Sequence, residues 1–296
     1  MTRFRTLLLC LLLCAAALAQ DIEPVRDFGE NPGKLRMFRY VPENLDPDRR
    51  HPLVLVLHGS MLSARAISRC GGWNKLADSL GVLLVYPDQP LRNNLMTAFS
   101  FFSRERTERG KGESASIRQM IAHMAAHYPL DTNRVFITGL SAGGAMANVM
   151  LNEYPDCFSA GVLIAAPGVL PHDLNPDTGK IRRVALFQGM RDRTVHPRQA
   201  ELLTEQWITK FGLDPQDTLF IPHYAGNPLL SAVRYPREGS LRLLRLNAAK
   251  TGHVLLIDPG DAVDRGGTPT VWSKDIDFHL PYRIMEFFGL SARREP

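Results

Sequence analysis

The hydrophobic pattern of the chain alternates between two kinds of segment. Short runs that are almost wholly apolar occur at residues 53–57, 82–86, 135–138, 160–165 and 183–187, and a further strand is expected at residues 241–246. Segments with apolar residues at helical spacing occur at residues 71–81, 114–128, 197–211 and 281–288, and after residue 142. Because uniformly apolar strands are covered on both faces, this alternation predicts an α/β fold with a mostly parallel sheet and helices on both faces.

Three less regular segments complete this outline. Residues 34–41 alternate loosely and are expected to form an antiparallel edge strand, whereas residues 21–33 show no apolar periodicity and are expected to lead into the domain. Residues 213–239 are rich in proline, glycine and arginine. They are either a substrate-facing excursion or a long connection, and the connection is slightly favoured.

One predicted strand and the helix after it are joined by a motif with chemical meaning. Residues 139–143 read Gly-Leu-Ser-Ala-Gly, a G-x-S-x-G sequence. A serine at such a turn has a strained backbone and an exposed hydroxyl, and Gly139 and Gly143 leave room for the neighbouring strand. We therefore predict Ser141 as a nucleophile, with chance occurrence in a glycine-rich turn as the alternative.

Two other strand ends carry the residue types that this nucleophile needs. Asp192 follows the strand at 183–187, and His253 follows the strand at 241–246. An imidazole can accept the serine proton, and a carboxylate can hold the imidazole in the right tautomer and stabilise its charged form. The chain order Ser, Asp, His is the order used by hydrolases built on such sheets, so Asp192 and His253 are predicted as acid and base.

The same chemistry requires donors for an oxyanion. The N–H of Ala142, directly after the nucleophile at a helix N-terminus, is predicted as the first donor. The second is expected from the loop after His58 and Gly59. We predict the backbone N–H of Ser60, with Met61 as the alternative.

Other titratable residues receive structural interpretations. His58 is expected to support the loop backbone through a hydrogen bond, and Asp88 to be a turn residue. His123 and His127 lie four residues apart on a predicted helix, which is a metal-capable spacing, but no third ligand lies nearby in sequence and a solvated helix face is expected. No cofactor and no metal ion are therefore expected.

The N-terminus has the pattern of an export signal. Arg3 and Arg5 precede an apolar run at residues 7–18, which ends in a small-x-small pattern before Gln20. Residues 1–19 are predicted to be a signal peptide. A membrane anchor is the alternative, and it is disfavoured because the apolar run is short for a membrane span of about 20 residues. Residues 20–296 are expected to form a single catalytic domain, secreted or periplasmic, with no membrane span after signal removal.

Composition limits the remaining possibilities. With 45% hydrophobic and 22% charged residues, the chain has ordinary globular usage. The formal net charge of +5 includes Arg3 and Arg5 of the predicted signal, and the other basic residues are scattered, so nucleic-acid binding has no support. Outside the signal, two cysteines remain, Cys70 and Cys157, and whether they form a disulfide is left open.

Together these segments resemble a known family: the secreted esterases of the poly(3-hydroxybutyrate) depolymerase and feruloyl esterase type, within the α/β-hydrolase superfamily. The matching segments are residues 52–59, Gly72-Trp73-Asn74 with Leu76-Ala77-Asp78, residues 85–89, Gly112-Glu113 with Ser116-Ile117, and residues 138–147. The resemblance is dense from about residue 52 to 166. Beyond that it retains Asp192-x-Thr194-Val195 and Gly252-His253.

The resemblance implies an α/β-hydrolase fold, the triad Ser141, Asp192 and His253, and oxyanion donors at positions 60 and 142. The chain departs from the family pattern at Ser60, where members commonly carry cysteine, and at residues 98–102, where a Cys-Trp-Asn-Trp-Phe-like segment is usual. It also lacks the linker and separate polymer-binding domain typical of enzymes that erode solid polyester. Soluble or oligomeric esters are therefore favoured.

The function expected from the sequence is serine carboxylic-ester hydrolysis through an acyl-enzyme on Ser141. The expected partner is a small or oligomeric ester. A peptidase or an acyltransferase on the same scaffold, and an inactive binding protein, are the alternatives. Acyl and alcohol specificity, oligomeric state and the presence of a lid are left open.

Overall fold

A ten-stranded sheet dominates the computed structural model, which describes residues 21–168 and 179–291. The strands are β1 Glu23–Val25, β2 Arg36–Tyr40, β3 His51–Leu57, β4 Leu83–Asp88, β5 Leu130–Leu140, β6 Ala160–Ile164, β7 Arg183–Gly189, β8 Leu219–Pro222, β9 Leu230–Arg237, β10 Ser240–Ala248, β11 Leu255–Ile257 and β12 Ser273–Asp275. The helices are α1 Ala64–Gly71, α2 Trp73–Leu80, α3 Arg104–Thr107, α4 Gly112–His127, α5 Ala142–Glu153, α6 Arg198–Phe211 and α7 Leu280–Phe287, and a 3₁₀ turn lies at Tyr224–Gly226.

The centre of the large sheet is parallel, and its two sides are antiparallel. Its strand order is β1-β2-β4-β3-β5-β6-β7-β10-β9-β8. The pairs from β4 through β3, β5, β6 and β7 to β10 are parallel. The pairs β1/β2, β2/β4, β10/β9 and β9/β8 are antiparallel. The predicted mostly parallel sheet is therefore confirmed.

Alternating residues of each central strand face opposite layers. In β3, Val54 and Val56 face a core that includes Trp73 and Leu76 of α2 and Ile284 of α7. Each such side chain, when fully buried, stabilises the fold by about 1.5–3 kcal/mol.

The other face of the sheet is covered by three helices. Leu53 and Leu55 of β3 face a core that includes Met120 of α4, Met150 of α5 and Trp207 of α6. Because both faces are covered, strand residues of either orientation must be apolar, which explains the continuous runs in the sequence.

Several helix signals in the sequence are confirmed. α2 ends at Gly81, which has φ 63° and whose N–H donates to the Ala77 carbonyl, as expected of a C-cap glycine. Leu203, Trp207 and Phe211 form the buried side of α6. The helix predicted at residues 114–128 is α4, which begins two residues earlier at Gly112.

Other expectations for the chain were wrong. The leader at residues 21–33 contains β1, which pairs with β2, so β2 is not the edge of the sheet. The segment at 213–239, interpreted as a connection or an excursion, contains β8 and β9 and extends the sheet by two antiparallel strands. β1 and β8 are short, and β9 contains polar and charged residues, so none of these strands has an apolar run as long as those of the central strands.

Helix α1 was not predicted. It begins after Ser63, whose hydroxyl accepts a hydrogen bond from the Ala66 N–H at 3.3 Å, and it ends at Gly72. Its apolar residues are few and the next helix begins immediately, so its pattern merges with that of α2. The position of α1 is nevertheless important, because it follows directly on the loop after β3.

Three further expectations concerned the signal peptide, membrane spans and a possible disulfide. The signal peptide at residues 1–19 lies outside the described residues. Among residues 21–168 and 179–291, none of the helices combines the length and apolar character needed to cross a membrane. Cys70 and Cys157 are both buried free thiols.

Candidate active site

The turn between β5 and α5 holds Ser141 in a rare backbone conformation. Its φ is 57° and its ψ is −121°, a region that few non-glycine residues adopt. The Ser141 N–H donates to the Ile164 carbonyl at 2.8 Å, and the Ser141 carbonyl accepts from the Ala145 N–H at 2.9 Å. The strained turn is therefore bonded on one side to β6 and on the other to the first turn of α5.

Close backbone packing explains the two glycines of the motif. A methyl group on Gly139 would lie 2.3 Å from the Gly143 carbonyl oxygen. A methyl group on Gly143 would lie 2.5 Å from the carbonyl oxygens of both Leu57 and His58. These separations are far below van der Waals contact, so only glycine lets α5 begin directly against the end of β3.

Asp192 and His253 are brought together by the ends of β7 and β10. The Nδ1 atom of His253 lies 2.6 Å from Oδ2 of Asp192. The other carboxylate oxygen, Oδ1, accepts hydrogen bonds from the N–H groups of Thr194 and Val195, both at 2.8 Å. With backbone donors on one oxygen, the carboxylate is fixed as an acceptor, so the proton of this short bond belongs on Nδ1 of His253 and leaves Nε2 with a lone pair.

The loops that carry these two side chains form one packed unit. The Met190 N–H donates to the Ala248 carbonyl at 2.9 Å, and the Arg191 N–H donates to the Thr251 carbonyl at 2.8 Å. A methyl group on Gly189 would lie 2.3 Å from the Gly252 carbonyl oxygen. Asp192 therefore cannot shift relative to His253 without breaking backbone contacts.

The loop after β3 distinguishes between the two candidate oxyanion donors. The Met61 N–H donates to the Met96 carbonyl at 2.7 Å, so it is already used within the protein. Within the described residues, the Ser60 N–H donates to no acceptor. Gly59 lies beside the nucleophile, because a methyl group on it would lie 3.3 Å from Ser141 Cβ. The geometry favours Ser60 over Met61.

His58 orients the peptide group that contains the Ser60 N–H. The Gln89 N–H donates to His58 Nε2 at 3.0 Å, so Nδ1 carries the proton and donates to the Gly59 carbonyl at 2.8 Å. In a trans peptide the N–H points opposite to the carbonyl. Since His58 holds the Gly59 carbonyl, the Ser60 N–H points away from it. The prediction that His58 supports the loop backbone is confirmed.

A buried network behind His58 was not predicted from the sequence. Glu113 accepts hydrogen bonds from Gln89 Nε2 at 2.7 Å and from the Ser100 N–H at 2.8 Å, and burial raises the pKa of its carboxyl group. Asp88, expected to be a turn residue, is buried at the end of β4 and accepts from the Ala64 N–H at 2.7 Å at the start of α1. Both acids anchor loops at the edge of the sheet where Ser141 lies.

Comparison with known proteins identifies the family of the chain. A family described as "Esterase PHB depolymerase" matches residues 37–171. Poly(3-hydroxyalkanoate) depolymerase C of Paucimonas lemoignei is 31% identical, and the aligned region covers 90% of this chain and 69% of that protein. Feruloyl esterase B of Neurospora crassa is 27% identical, over 84% of this chain and 94% of that protein.

The chain belongs to the esterase PHB depolymerase family. Among solved structures, an acetyl xylan esterase from Aspergillus awamori superposes with a TM-score of 0.72 at 20% identity, covering 92% of this chain and all of that one. The fold is that of the α/β-hydrolase esterases. Members of this kind are carboxylic-ester hydrolases, and the chain is one of them.

Three carboxylates of this protein lie as close together as the ligands of a metal site do. Oxygen atoms of Asp258, Asp275 and Asp277 lie within 4.8 Å of one another. Arg265 donates to Asp258 Oδ1 from Nε at 2.9 Å and from a terminal nitrogen at 2.6 Å. This cation already balances part of the negative charge of the three carboxylates. His123 and His127 stack at 4.1 Å between ring centroids on the outer side of α4.

Two buried histidines of the esterase give its stability a defined pH dependence. Burial lowers the pKa of both His58 and His279 below the ordinary value of 6.5. The folded protein keeps both rings neutral while the unfolded chain protonates them, so this stability is present above pH 6.5 and is lost as pH falls. Below pH 6.5, each such histidine lowers the free energy of unfolding by at most about 1.4 kcal/mol for each unit by which the pH falls.

We therefore expect the free energy of unfolding, measured by denaturant titration between pH 7.5 and 5, to decrease more steeply in the native protein than in a His58→Asn variant. The carboxylates are common to both proteins and cancel in the comparison. Parallel slopes would contradict the neutral assignment of His58.

Proposed function

We propose that the protein is an exported serine hydrolase that cleaves carboxylic esters through an acyl-enzyme on Ser141. The observation that carries this proposal is the 2.6 Å bond between Asp192 and His253, at the sheet edge where the strained Ser141 lies. Family membership supports the same reaction class. The roles of the individual residues are our assignment.

In the first half of the proposed reaction, His253 Nε2 accepts the proton of the Ser141 hydroxyl as Oγ attacks the ester carbonyl carbon. Asp192 stays ionised, holds the ring with Nδ1 protonated, and stabilises the imidazolium. Collapse of the tetrahedral intermediate breaks the bond to the alcohol oxygen. The imidazolium returns its proton to that oxygen, so the alcohol leaves neutral and the acyl group remains on Ser141.

The second half repeats the same steps with water. His253 accepts a proton from water, the resulting hydroxide oxygen attacks the acyl carbon, and the bond to Ser141 Oγ breaks. The proton returns to Oγ, the carboxylic acid product is released, and the serine hydroxyl is restored. No cofactor is needed in either half.

The negative oxygen that forms in both halves is assigned to the N–H groups of Ala142 and Ser60. The Ala142 N–H lies at the first position of α5, where helical amides have no acceptor within the helix and the dipole favours negative charge. The occupied Met61 N–H and the peptide orientation set by His58 support Ser60 as the second donor.

For substrates, we propose small or oligomeric esters with an apolar portion next to the scissile bond. The names of relatives refer to 3-hydroxyalkanoate, acetylxylan and feruloyl esters. An apolar surface next to Ser60 is formed by the side chains of Met61 and Met96, which are 63% and 52% exposed. A backbone hydrogen bond joins these two residues. Comparison of kcat/KM for acetyl, feruloyl and 3-hydroxybutyrate esters would rank these classes, since specificity lies in transition-state binding.

Export is proposed from the N-terminal pattern alone. Arg3 and Arg5 followed by the apolar run at residues 7–18 support removal of residues 1–19 and a secreted or periplasmic location. N-terminal sequencing of the mature protein beginning at Gln20 would agree with this. An intact Met1 on exported protein would contradict it.

The nucleophile is tested by Ser141→Ala. We expect the variant to lose measurable turnover of p-nitrophenyl acetate and of a 3-hydroxybutyrate oligomer, because no other side chain is assigned to attack the carbonyl. Labelling by a fluorophosphonate probe should also disappear. The melting temperature should stay near that of the native protein, which serves as the folding control. Retained turnover would refute the mechanism.

The second oxyanion donor is tested by a pair of substitutions at one position. Ser60→Ala keeps the backbone N–H and should leave kcat within about threefold of the native value, since the side chain is not assigned a role. Ser60→Pro removes the N–H and should lower kcat by about 10²–10³, the usual effect of losing one donor. Circular dichroism of both variants checks folding. Equal activities would exclude the Ser60 N–H as a donor.

A further inference from the structure

The side chain of Gln188 is buried at the junction of the two proposed catalytic loops. It is 1% exposed and lies at the end of β7, where its amide nitrogen Nε2 meets three acceptors. These are the Gly189 carbonyl at 3.0 Å, the Val195 carbonyl at 3.1 Å, and Oδ2 of Asp192 at 3.4 Å. The amide thus spans the turn that carries Asp192, from its first residue to its last.

Gln188 also completes the set of donors around the Asp192 carboxylate. Oδ1 receives two backbone N–H groups, and Oδ2 receives His253 Nδ1 and the longer contact from Gln188. The Gln188 amide therefore acts on the same oxygen that holds the imidazole. A donor at that oxygen spreads its negative charge and limits its movement toward or away from His253.

The amide oxygen of Gln188 shows that packing alone does not explain why a glutamine occupies this position. Oε1 of Gln188 has no hydrogen-bond partner, although it is buried. An unpaired buried polar oxygen costs free energy, and a methionine would fill a similar volume without that cost. The contribution of the amide must come from its N–H groups.

We infer that Gln188 is a positioning residue that holds the Asp192 carboxylate against His253. The inference rests on the proposed function of Asp192 and His253, and it assigns Gln188 no contact with substrate. The other titratable or charged side chains of these two loops, Arg191, Arg193, His196 and Lys250, are exposed, so the buried charge next to the Gln188 amide belongs to Asp192 and His253.

Removing or reversing the donor should alter the proton affinity of the imidazole as well as its placement. In Gln188→Met the charge on Oδ2 is no longer shared with the amide, which favours the protonated imidazole. In Gln188→Glu a carboxyl group replaces the donor, and any negative charge there favours the protonated imidazole more strongly. Both variants should move the acidic limb of the pH profile of kcat/KM to higher pH, by about one unit for Gln188→Glu.

The control is Gln206→Met. Gln206 is 5% exposed on α6, its Oε1 accepts from Asn148 Nδ2 at 3.2 Å, and its Nε2 lacks a partner, so it is also a buried glutamine with one unpaired end. It lies in the contact between α5 and α6, away from the two loops. We expect Gln206→Met to change the melting temperature without moving the pH profile or the ratio of kcat to KM.

The experiment measures kcat, KM and their pH profiles for the native enzyme and the three variants on one soluble ester. The inference predicts a fall in kcat of at least about tenfold in Gln188→Met, with KM within about twofold, and an acidic limb displaced to higher pH in both Gln188 variants. A Gln188→Met variant with native kcat, or a profile of either Gln188 variant that superimposes on the native profile, would overturn it.

A measurement on the native protein covers the case in which the variants do not fold. In a pH titration followed by nitrogen-edited NMR, the side-chain amide protons of Gln188 should shift together with the ring signals of His253. Those of Gln206 should stay constant. Gln188 amide signals whose chemical shifts stay constant while His253 titrates would overturn the inference. Because this readout needs no substrate, a native protein without esterase activity would refute the proposed function and leave the test of Gln188 intact.

Discussion

The backbone strain at Ser141 depends on contacts between main chains rather than side chains. A φ of 57° at a serine is unfavourable by about 1–3 kcal/mol, and it persists only where surrounding structure leaves no alternative. Here β3, β5 and α5 meet so closely that Gly139 and Gly143 cannot carry a methyl group. The parallel core of the sheet thus fixes the position of one hydroxyl, and the remaining site is built around that point.

Around this point, backbone groups provide most of the precision. His58 orients the peptide group between residues 59 and 60, and the Met61 N–H donates to the Met96 carbonyl. Asp192 accepts hydrogen bonds from two backbone N–H groups. The bond between Met61 and Met96 joins two loops, the contacts of His58 and of Asp192 each hold one loop in shape, and all of these loops leave the same edge of the sheet. A site assembled in this way changes little when exposed side chains change, which explains how one family can hold esterases with different acyl groups in their names.

The sequence was informative where a local pattern determines structure. Strands such as β3 are buried on both faces and must be uniformly apolar, and Gly81 ends α2 because it adopts a left-handed conformation. Ser141 and Asp192 could be named because each follows such a strand, and His253 because it follows β10, whose leucines mark it as a strand although it is partly exposed. β1 and β9 contain polar or charged residues, and the apolar run of β8 is only three residues long, so none of the three sequences contains a run long enough to separate it from a loop.

Contacts between distant segments could not be predicted. The hydrogen bond from the Met61 N–H to the Met96 carbonyl is the reason for choosing Ser60 over Met61 as the oxyanion donor. It joins two irregular loops, and no pattern in the sequence indicates it. Gln188 was visible only as a residue before the Asp192 loop, since its contacts depend on how that loop closes. Glu113 is similar, because its partners Gln89 and Ser100 come from loops that approach α4 only in the folded chain.

The central claim is that an ester substrate becomes covalently attached to Ser141. Acid quenching of the native enzyme during turnover of a slowly deacylating ester, followed by peptide mass spectrometry, measures this directly. The account predicts the mass of the acyl group, with loss of water, on the peptide that contains residues 139–143. Turnover with no acylated peptide, or with the acyl group on another residue, would contradict it.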